Sequence, residues 1–541
     1  MQFHYSSFSF FFLVRRQAKK EDERKLLLNR VELNRRESAA ANFEFSDFPN
    51  GERFVDLHHP FSHDLDIFGK GSLFQYLNRC ATQLGEKKLA SDLTELNLNK
   101  TFISQRQEAI RELGPLIEFR QQCWATGKQV HDVDFSLDSL WSWLKQPVLF
   151  HGKKVFFFLR WVLPFFTCLS LFGAVFLPAF HSAFFFFMAL LQLTLSSLYN
   201  KPIEKLQNQL SIYRVIMDSY SRIFRMINGQ SLTSSRMRHH HNVATEAMEH
   251  VKKFSSLINA IESRLNIVAR IVGNGLFLYD FHVVSDVEEW REQNGSSMPQ
   301  WMESLAEWDA LLSFATFHYN HPQYAFAGLN DVLSIRGKEV GHPLIPTASR
   351  VNNDFDVGNP AGIMLITGAN MAGKSTFLRA IGVNYLLASN GAPVCATQWS
   401  NPLVELRTGM RTSDSLQEHQ SYFFAELNRL QSIIEDLRKG KSALILLDEI
   451  LKGTNSTDKQ TGSRELIKQF IQEKALVVIA THDIALSDME QQYPNRIVNT
   501  CFEGKIENDQ LKFDYKLNRG LAQKANATFL MRKMGIIPPS A

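Results

Sequence analysis

Cysteine is scarce in this chain: five residues (Cys80, Cys123, Cys168, Cys395 and Cys501) are scattered through 541, with no C-x-x-C pair and no zinc spacing. That usage excludes a disulfide framework and fits a reducing compartment. An excess of charge of one sign is lacking too, since 59 Lys and Arg against 55 Asp and Glu leave a net +4. So small a balance gives no global basic field that would argue for nucleic acid. No internal repeat is evident. The most pointed absence is local: from Trp161 to Asn200 there is no Lys, Arg, Asp or Glu.

What stands in that gap is phenylalanine and leucine. The chain holds 43 Phe, concentrated near its start and between about 155 and 187. One membrane crossing takes about 20 apolar residues, so the uncharged stretch is long enough for two spans, about 161–178 and 182–199. Pro178-Ala-Phe-His181 is a plausible reversal between them. Lys153, Lys154 and Arg160 precede the stretch and Lys201 and Lys205 follow it, which places both ends on the cytoplasmic side. The expectation is a transmembrane hairpin, with a very apolar buried helix pair as the alternative. Nearer the start, Phe8 to Val14 followed by Arg15-Arg16 is too short to span alone. Its charge follows the apolar run, so it is not a signal peptide. It reads as the tail of a further membrane helix or as a frayed start.

The length suits two to four domains. Residues 1–40 read as a membrane-proximal tail and a charged helix, 41–150 and 201–335 as two parts of an all-α region interrupted by the hairpin at 151–200, and 336–541 as an α/β domain. Helical periodicity marks Ser72 to Cys123, Pro202 to Met226, Asn242 to Val272 and Trp301 to Tyr319. From Val351 onward short apolar strands alternate with helices. His239-His-His241 beside Arg236 and Arg238 reads as a solvated basic loop, because three adjacent histidines cannot all face one metal.

The chemistry is concentrated in the last domain. Gly368, Ala369, Asn370, Met371, Ala372, Gly373, Lys374 and Ser375, followed by Thr376, fit G-x-x-x-x-G-K-[ST]. Such a loop wraps backbone N–H groups around phosphates when it joins a strand to a helix. Here Gly362 to Thr367 reads as the strand and Phe377 to Ile381 as the helix, whose N-terminus favours anions. Lys374 is placed as the charge clamp on the β- and γ-phosphates. Hydrolysis also needs a metal ion and a positioned water. Ala443 to Leu447 reads as a buried strand ending in Asp448 and Glu449. Asp448 is expected to hold Mg²⁺ with the Ser375 hydroxyl, and Glu449 to polarise the attacking water. Val477 to Ala480 is a third apolar strand, after which His482 is placed to sense the γ-phosphate. Together these residues point to an α/β P-loop NTPase that uses ATP and Mg²⁺.

Thr367 to Thr376, Leu447 to Ser456 and Ala480-Thr-His482 together resemble the ATPase domain of the MutS mismatch-repair family. Met410 to Leu416 and Ser421 to Glu426 look like that family's signature region, and the likeness continues through Asn526-Ala-Thr-Phe-Leu530. Ser72 to Arg79 and Arg106 to Leu113 are similar to the start of the family's helical lever domain, and Gly341-His-Pro343 to the segment leading into the ATPase domain. The resemblance implies an ABC-type ATPase domain preceded by an all-α lever domain that carries the hairpin. It implies a homodimer closed through the nucleotide sites, with Ser421 reaching the γ-phosphate bound by the partner. It also implies DNA as the load. Lys and Arg between Lys201 and Arg270 could supply phosphate contacts, but that charge is modest and interleaved with acids, so a solvated helix face is an equal reading.

The residues before Ser72 are too few for the family's mismatch-reading and connector domains, and Phe424-Ala-Glu426 belongs to the signature helix, not to a mismatch wedge. DNA handling is therefore expected to follow structure and not mismatch. The expected place is the inner or cytoplasmic membrane, with the ATPase domain facing the cytoplasm. The alternative is a membrane-bound mechanoenzyme that acts on a protein or lipid partner without DNA; a transporter fits less well, because two spans per chain make a poor pore.

Overall fold

The computed structural model describes residues 2–131, 133, 135–176, 182–358, 362–369, 371–411, 422–452, 454–507 and 510–522. The elements used below are the helices α1 (Gln2–Ala41), α2 (Lys154–Phe176), α3 (Ser182–Leu198), α4 (Ser235–Glu262), α5 (Ile267–Phe277), α6 (Tyr279–Asn294), α7 (Met298–Asn320), α8 (Lys374–Ser389), α9 (Tyr422–Arg438) and α10 (Ser456–Gln472). The strands of the main sheet are β1 (Ile363–Gly368), β2 (Glu405–Gly409), β3 (Ala443–Asp448), β4 (Ala475–Ala480), β5 (Ile497–Glu507) and β6 (Gln510–Arg519).

That sheet runs in the order β6-β5-β1-β4-β3-β2. All its pairings are parallel except the antiparallel β5–β6 edge. A parallel sheet must be covered on both faces, and the side chains divide accordingly. Ile363, Leu365, Ile445, Leu447, Val477 and Ile479 form one core with Leu430 and Ile433 of α9 and Ile467 and Phe470 of α10. Met364, Ile366, Leu444, Leu446, Leu476 and Val478 belong to the other core, with Phe377, Leu378 and Ile381 of α8. The helix α8 lies close to the sheet because Gly382 has no side chain: a Cβ there would come 3.0 Å from Leu446 Cδ1 and 2.6 Å from Leu65 Cδ2. Leu446 is fully buried, so Leu446→Ala is expected to lower unfolding stability by about 2–5 kcal/mol through lost contacts and a residual cavity. The midpoint of denaturant unfolding checks it.

A second sheet of four short strands begins at Gly328–Leu329, and Ala325–Phe326 pairs with Pro393–Val394. The α/β region thus starts about ten residues before 336, because these short strands carry no long apolar run. The rest is helical, as expected. Residues 17–40 do form a helix, but it is continuous with the apolar start as α1. Leu33 of α1 packs with Ala81 and Trp124.

The two helices expected of the hairpin are present as α2 and α3 and pack on each other; residues 177–181 lie outside the described residues. Among the described residues one helix, Lys154–Phe176, is long and apolar enough to cross a membrane; α3 meets that test only with Asn200–Leu210, to which it is bent by 60°. The helix read from Asn242 to Val272 is broken. It ends at Glu262, and after a short 3-10 turn Asn266 caps α5 by accepting from the N–H groups of Val268 and Ala269. The histidine run is not a loop: it lies on α4, where the helical period turns His240 inward onto Ser304 at 2.8 Å. Burial lowers the His240 pKa to about 4.

Candidate active site

Each phosphate-relevant side chain stands where a strand of the parallel sheet ends. β1 runs into the glycine loop, whose backbone requires glycine at Gly368: φ is 146°, and a Cβ would sit 2.4 Å from the Phe502 carbonyl oxygen. Gly373 (φ 105°) then turns the chain into α8, so Lys374, Ser375 and Thr376 occupy that helix's first turn. Ala369 and Ala372 lie in the loop, Ala372 buried, and Met371 is exposed with φ 68°. Asn370 lies outside the described residues.

β3 ends in Asp448, and the next residue, Glu449, adopts the left-handed region (φ 60°) while its N–H donates to the Ala480 carbonyl at 2.8 Å. A non-glycine residue held there is strained, a condition that clusters at functional sites. His482 follows β4 two residues on, its Nε2 3.5 Å from Lys374 Nζ. Lys374, Ser375, Asp448, Glu449 and His482 line one cavity of about 640 Å³.

The electrostatics of that cavity are those of a site built for an anion. Lys374 is buried, with Nζ donating to the Gly368 and Ala369 carbonyls at 2.8 Å each. Burial depresses its pKa to about 8, against the opposing pull of Asp448 and Glu449. Burial works to raise the Glu449 carboxyl, but the Lys459 ammonium at 2.8 Å outweighs it and holds the group below the usual carboxylate range. Burial, with Lys374 adding to it, lowers His482. A Ser375 hydroxyl and an Asp448 carboxylate in one cavity are a hard-oxygen donor pair, which suits a Mg²⁺ that takes its other ligands from phosphate and water. Among the described residues no cluster of three or more His, Cys, Asp or Glu forms a self-sufficient metal site.

The fold also brings in residues that motif reading missed. Tyr515 of β6 sits opposite the glycine loop, its Cδ1 3.1 Å from where a Gly373 Cβ would lie. His342, Arg350, Phe502 and Lys452 line the same cavity. Gly341-His-Pro343 and the Leu447–Ser456 stretch, which contains Lys452, were the available signals; Arg350, Phe502 and Tyr515 come from segments whose approach only tertiary folding fixes. Arg350 Nη1 donates to Tyr324 Oη at 2.9 Å, and the Tyr324 ring stacks on His321 at the end of the lever. Met410 and Arg411, which open the stretch likened to the signature region, are tied down together with Thr408 by a residue of the 41–150 region. Fully buried Asp64 accepts from Thr408 Oγ1 (2.6 Å), Met410 N (3.1 Å) and Arg411 N (2.9 Å). Glu426 of α9 accepts from the N–H groups of Leu451 and Lys452, just beyond Asp448 and Glu449. Ser421 and the Asn526–Leu530 segment lie outside the described residues.

Residues 364–539 match the family model for MutS domain V. The "DNA mismatch repair protein MutS" of Thermotoga maritima is 31% identical over 239 residues, 43% of this chain and 29% of that protein. The protein of the same description from Thermotoga sp. strain RQ2 is 30% identical over 239 residues, again 43% and 29%. The human "MutS protein homolog 4" is 28% identical over 252 residues, 44% of this chain and 26% of that protein.

The chain is MutS-related.

The match takes in less than a third of the relatives' own length and falls in the C-terminal part of the chain. ATPase function is thereby supported at the level of the MutS family, whose domain V match covers the main sheet from the second residue of β1 onward and every catalytic candidate.

Proposed function

We propose that this MutS-related chain binds and hydrolyses Mg²⁺-ATP, dimerises through its nucleotide sites, and is anchored in the membrane by α2 and α3 with the ATPase domain on the cytoplasmic side. The observation that carries the reading is the convergence of the glycine loop, Lys374, Ser375, Asp448, Glu449 and His482 on one cavity. Lys374 swings from the loop carbonyls onto the β- and γ-phosphates. Ser375 and Asp448 would hold Mg²⁺, which would supply neutralisation of the phosphate charge. Glu449 orients the attacking water and takes up its proton, while His482 contacts the γ-phosphate from β4. By the family likeness, Ser421 of each subunit would reach the γ-phosphate bound by the other.

The load is proposed to be DNA, recognised by structure and not by mismatch. The support is the likeness to proteins described as acting in DNA mismatch repair. The charge of the lever argues for restraint in how tightly. Between Lys201 and Arg270, Arg214 pairs with Glu262, Arg222 with Asp22 and Asp218, Arg225 with Glu249, and Lys252 with Asp218. These pairings neutralise much of the basic surface expected to meet phosphates. The same fact favours the second reading, in which the engine pulls on a protein or lipid partner at the membrane.

Duplex, branched and mismatched DNA binding by the detergent-solubilised full-length protein, across a salt series with and without ATP, separates the two. The DNA reading expects affinity that falls steeply with salt as counterions are released and that responds to nucleotide. Intact ATP turnover with no DNA binding would move the engine to the other load.

A further inference from the structure

The hairpin is built inside out. On α2 the buried residues are Thr167, Ser170 and Gly173, and on α3 they are Gln192 and Ser196. The Gln192 amide donates to the Thr167 hydroxyl at the centre of the pair. Phe158, Phe165, Leu169 and Phe172 of α2, with Phe187 and Leu190 of α3, face outward. Small and polar residues inside, with apolar ones all round, are the packing of helices whose solvent is lipid. A protein partner would cover one face; only a bilayer covers every face.

A third helix follows the same rule. In α5 the buried residues are Asn274 and Gly275, whereas Ile267, Val268, Ile271, Val272 and Phe277 are exposed. It packs on α3 and α2, and a Cβ on Gly275 would lie 3.7 Å from Leu193 Cγ of α3. No acidic residue occurs from Asn266 to Tyr279, and Arg270 is the single charge. At 1.5 Å per residue its 11 residues reach only about 16 Å, roughly half of a bilayer core. At Leu278 (φ 46°) the chain turns, and α6 leaves at 87° to α5.

Both ends of α5 are pinned by a buried polar network. Arg264 meets Asp280 at 2.9 Å and donates to Asn200 Oδ1 at 2.8 Å; Ser196 donates to Asp280 at 3.3 Å. Pro164 of α2 has no N–H to give the Arg160 carbonyl four residues back. His282 Nε2 of α6 lies 2.7 Å from that oxygen and takes the missing donor's place. Lys153, Lys154, Lys201 and Lys205 stand at the outer ends of the α2–α3 pair in sequence, as suits anionic headgroups.

We propose that α5 is a third membrane-embedded segment: a half-length helix seated among lipid beside the hairpin, which joins the lever to the bilayer at a second point. The inference rests on the membrane reading of α2 and α3. The test uses unmodified full-length protein in phosphatidylcholine–phosphatidylglycerol vesicles that contain a phospholipid with a diazirine in its acyl chain. After photolysis, labelled peptides are mapped by mass spectrometry. Labelling of peptides within 154–198 and also within 265–277, with none in α4, is the expected result. Labelling of the hairpin alone would overturn the role of α5 and leave the anchor standing. Labelling of neither would overturn both.

Discussion

Glu449→Gln is expected to leave ATP binding intact and to stop turnover. The amide keeps the side chain's size and its place after β3, but it cannot take the proton from water. General-base catalysis is worth about 10²–10⁴-fold, so hydrolysis should fall by roughly that factor while the Kd for ATP barely moves. With ATP unable to leave as products, the closed dimer should accumulate, and light scattering with ATP and Mg²⁺ should read a doubled mass. Lys459 enters the same argument. It is 2.8 Å from Glu449 Oε1 and holds the carboxyl below the usual carboxylate range, so that the group stands ready as a base. Normal turnover by Glu449→Gln would remove Glu449 from the mechanism.

Lys374→Ala should instead lose nucleotide binding. A charge-assisted hydrogen bond is worth about 1.5–3 kcal/mol, roughly ten- to a hundredfold in Kd. The loss should exceed a single bond, because the Lys374 charge also offsets the Asp448 and Glu449 carboxylates that line the same cavity. The same residue sets a pH dependence. In the empty site burial brings the Lys374 pKa down to about 8. The ammonium is therefore present below pH 8 and lost as pH rises through it, and only the ammonium attracts phosphate. ATP affinity should be level below pH 8 and weaken above it, and the weakening should vanish in Lys374→Ala. Calorimetric titration at several pH values checks both statements.

The parts of this site legible in the sequence were those written as contiguous runs. A buried strand, a glycine turn and a helix start are consecutive, so the phosphate loop is visible without a fold. Asp448–Glu449 and His482 are legible for the same reason: each follows a run of apolar residues that only a covered strand explains. Tyr515, Arg350 and Phe502 were not legible, because each reaches the cavity from an element whose approach is set by tertiary packing, and Lys459 reaches Glu449 from α10 in the same way. The apolar helices α2, α3 and α5 show a related limit. Lack of charge revealed α2 and α3, but α5 carries Arg270 and continues the apolar period of α4. Only its exposure, with Asn274 and Gly275 turned inward, distinguishes it. His240 is the converse case: a basic run looked solvated until the helical period buried its middle member.

The central claim is that the cavity at the ends of β1, β3 and β4 is a Mg²⁺-dependent ATPase site. Phosphate release by purified full-length protein, measured with Mg²⁺, with the metal chelated, and with Glu449→Gln, tests it most directly. Turnover that requires Mg²⁺ and disappears in the variant is the predicted result. Turnover that survives chelation or the substitution, or no ATP binding at all by the intact chain, would contradict the claim.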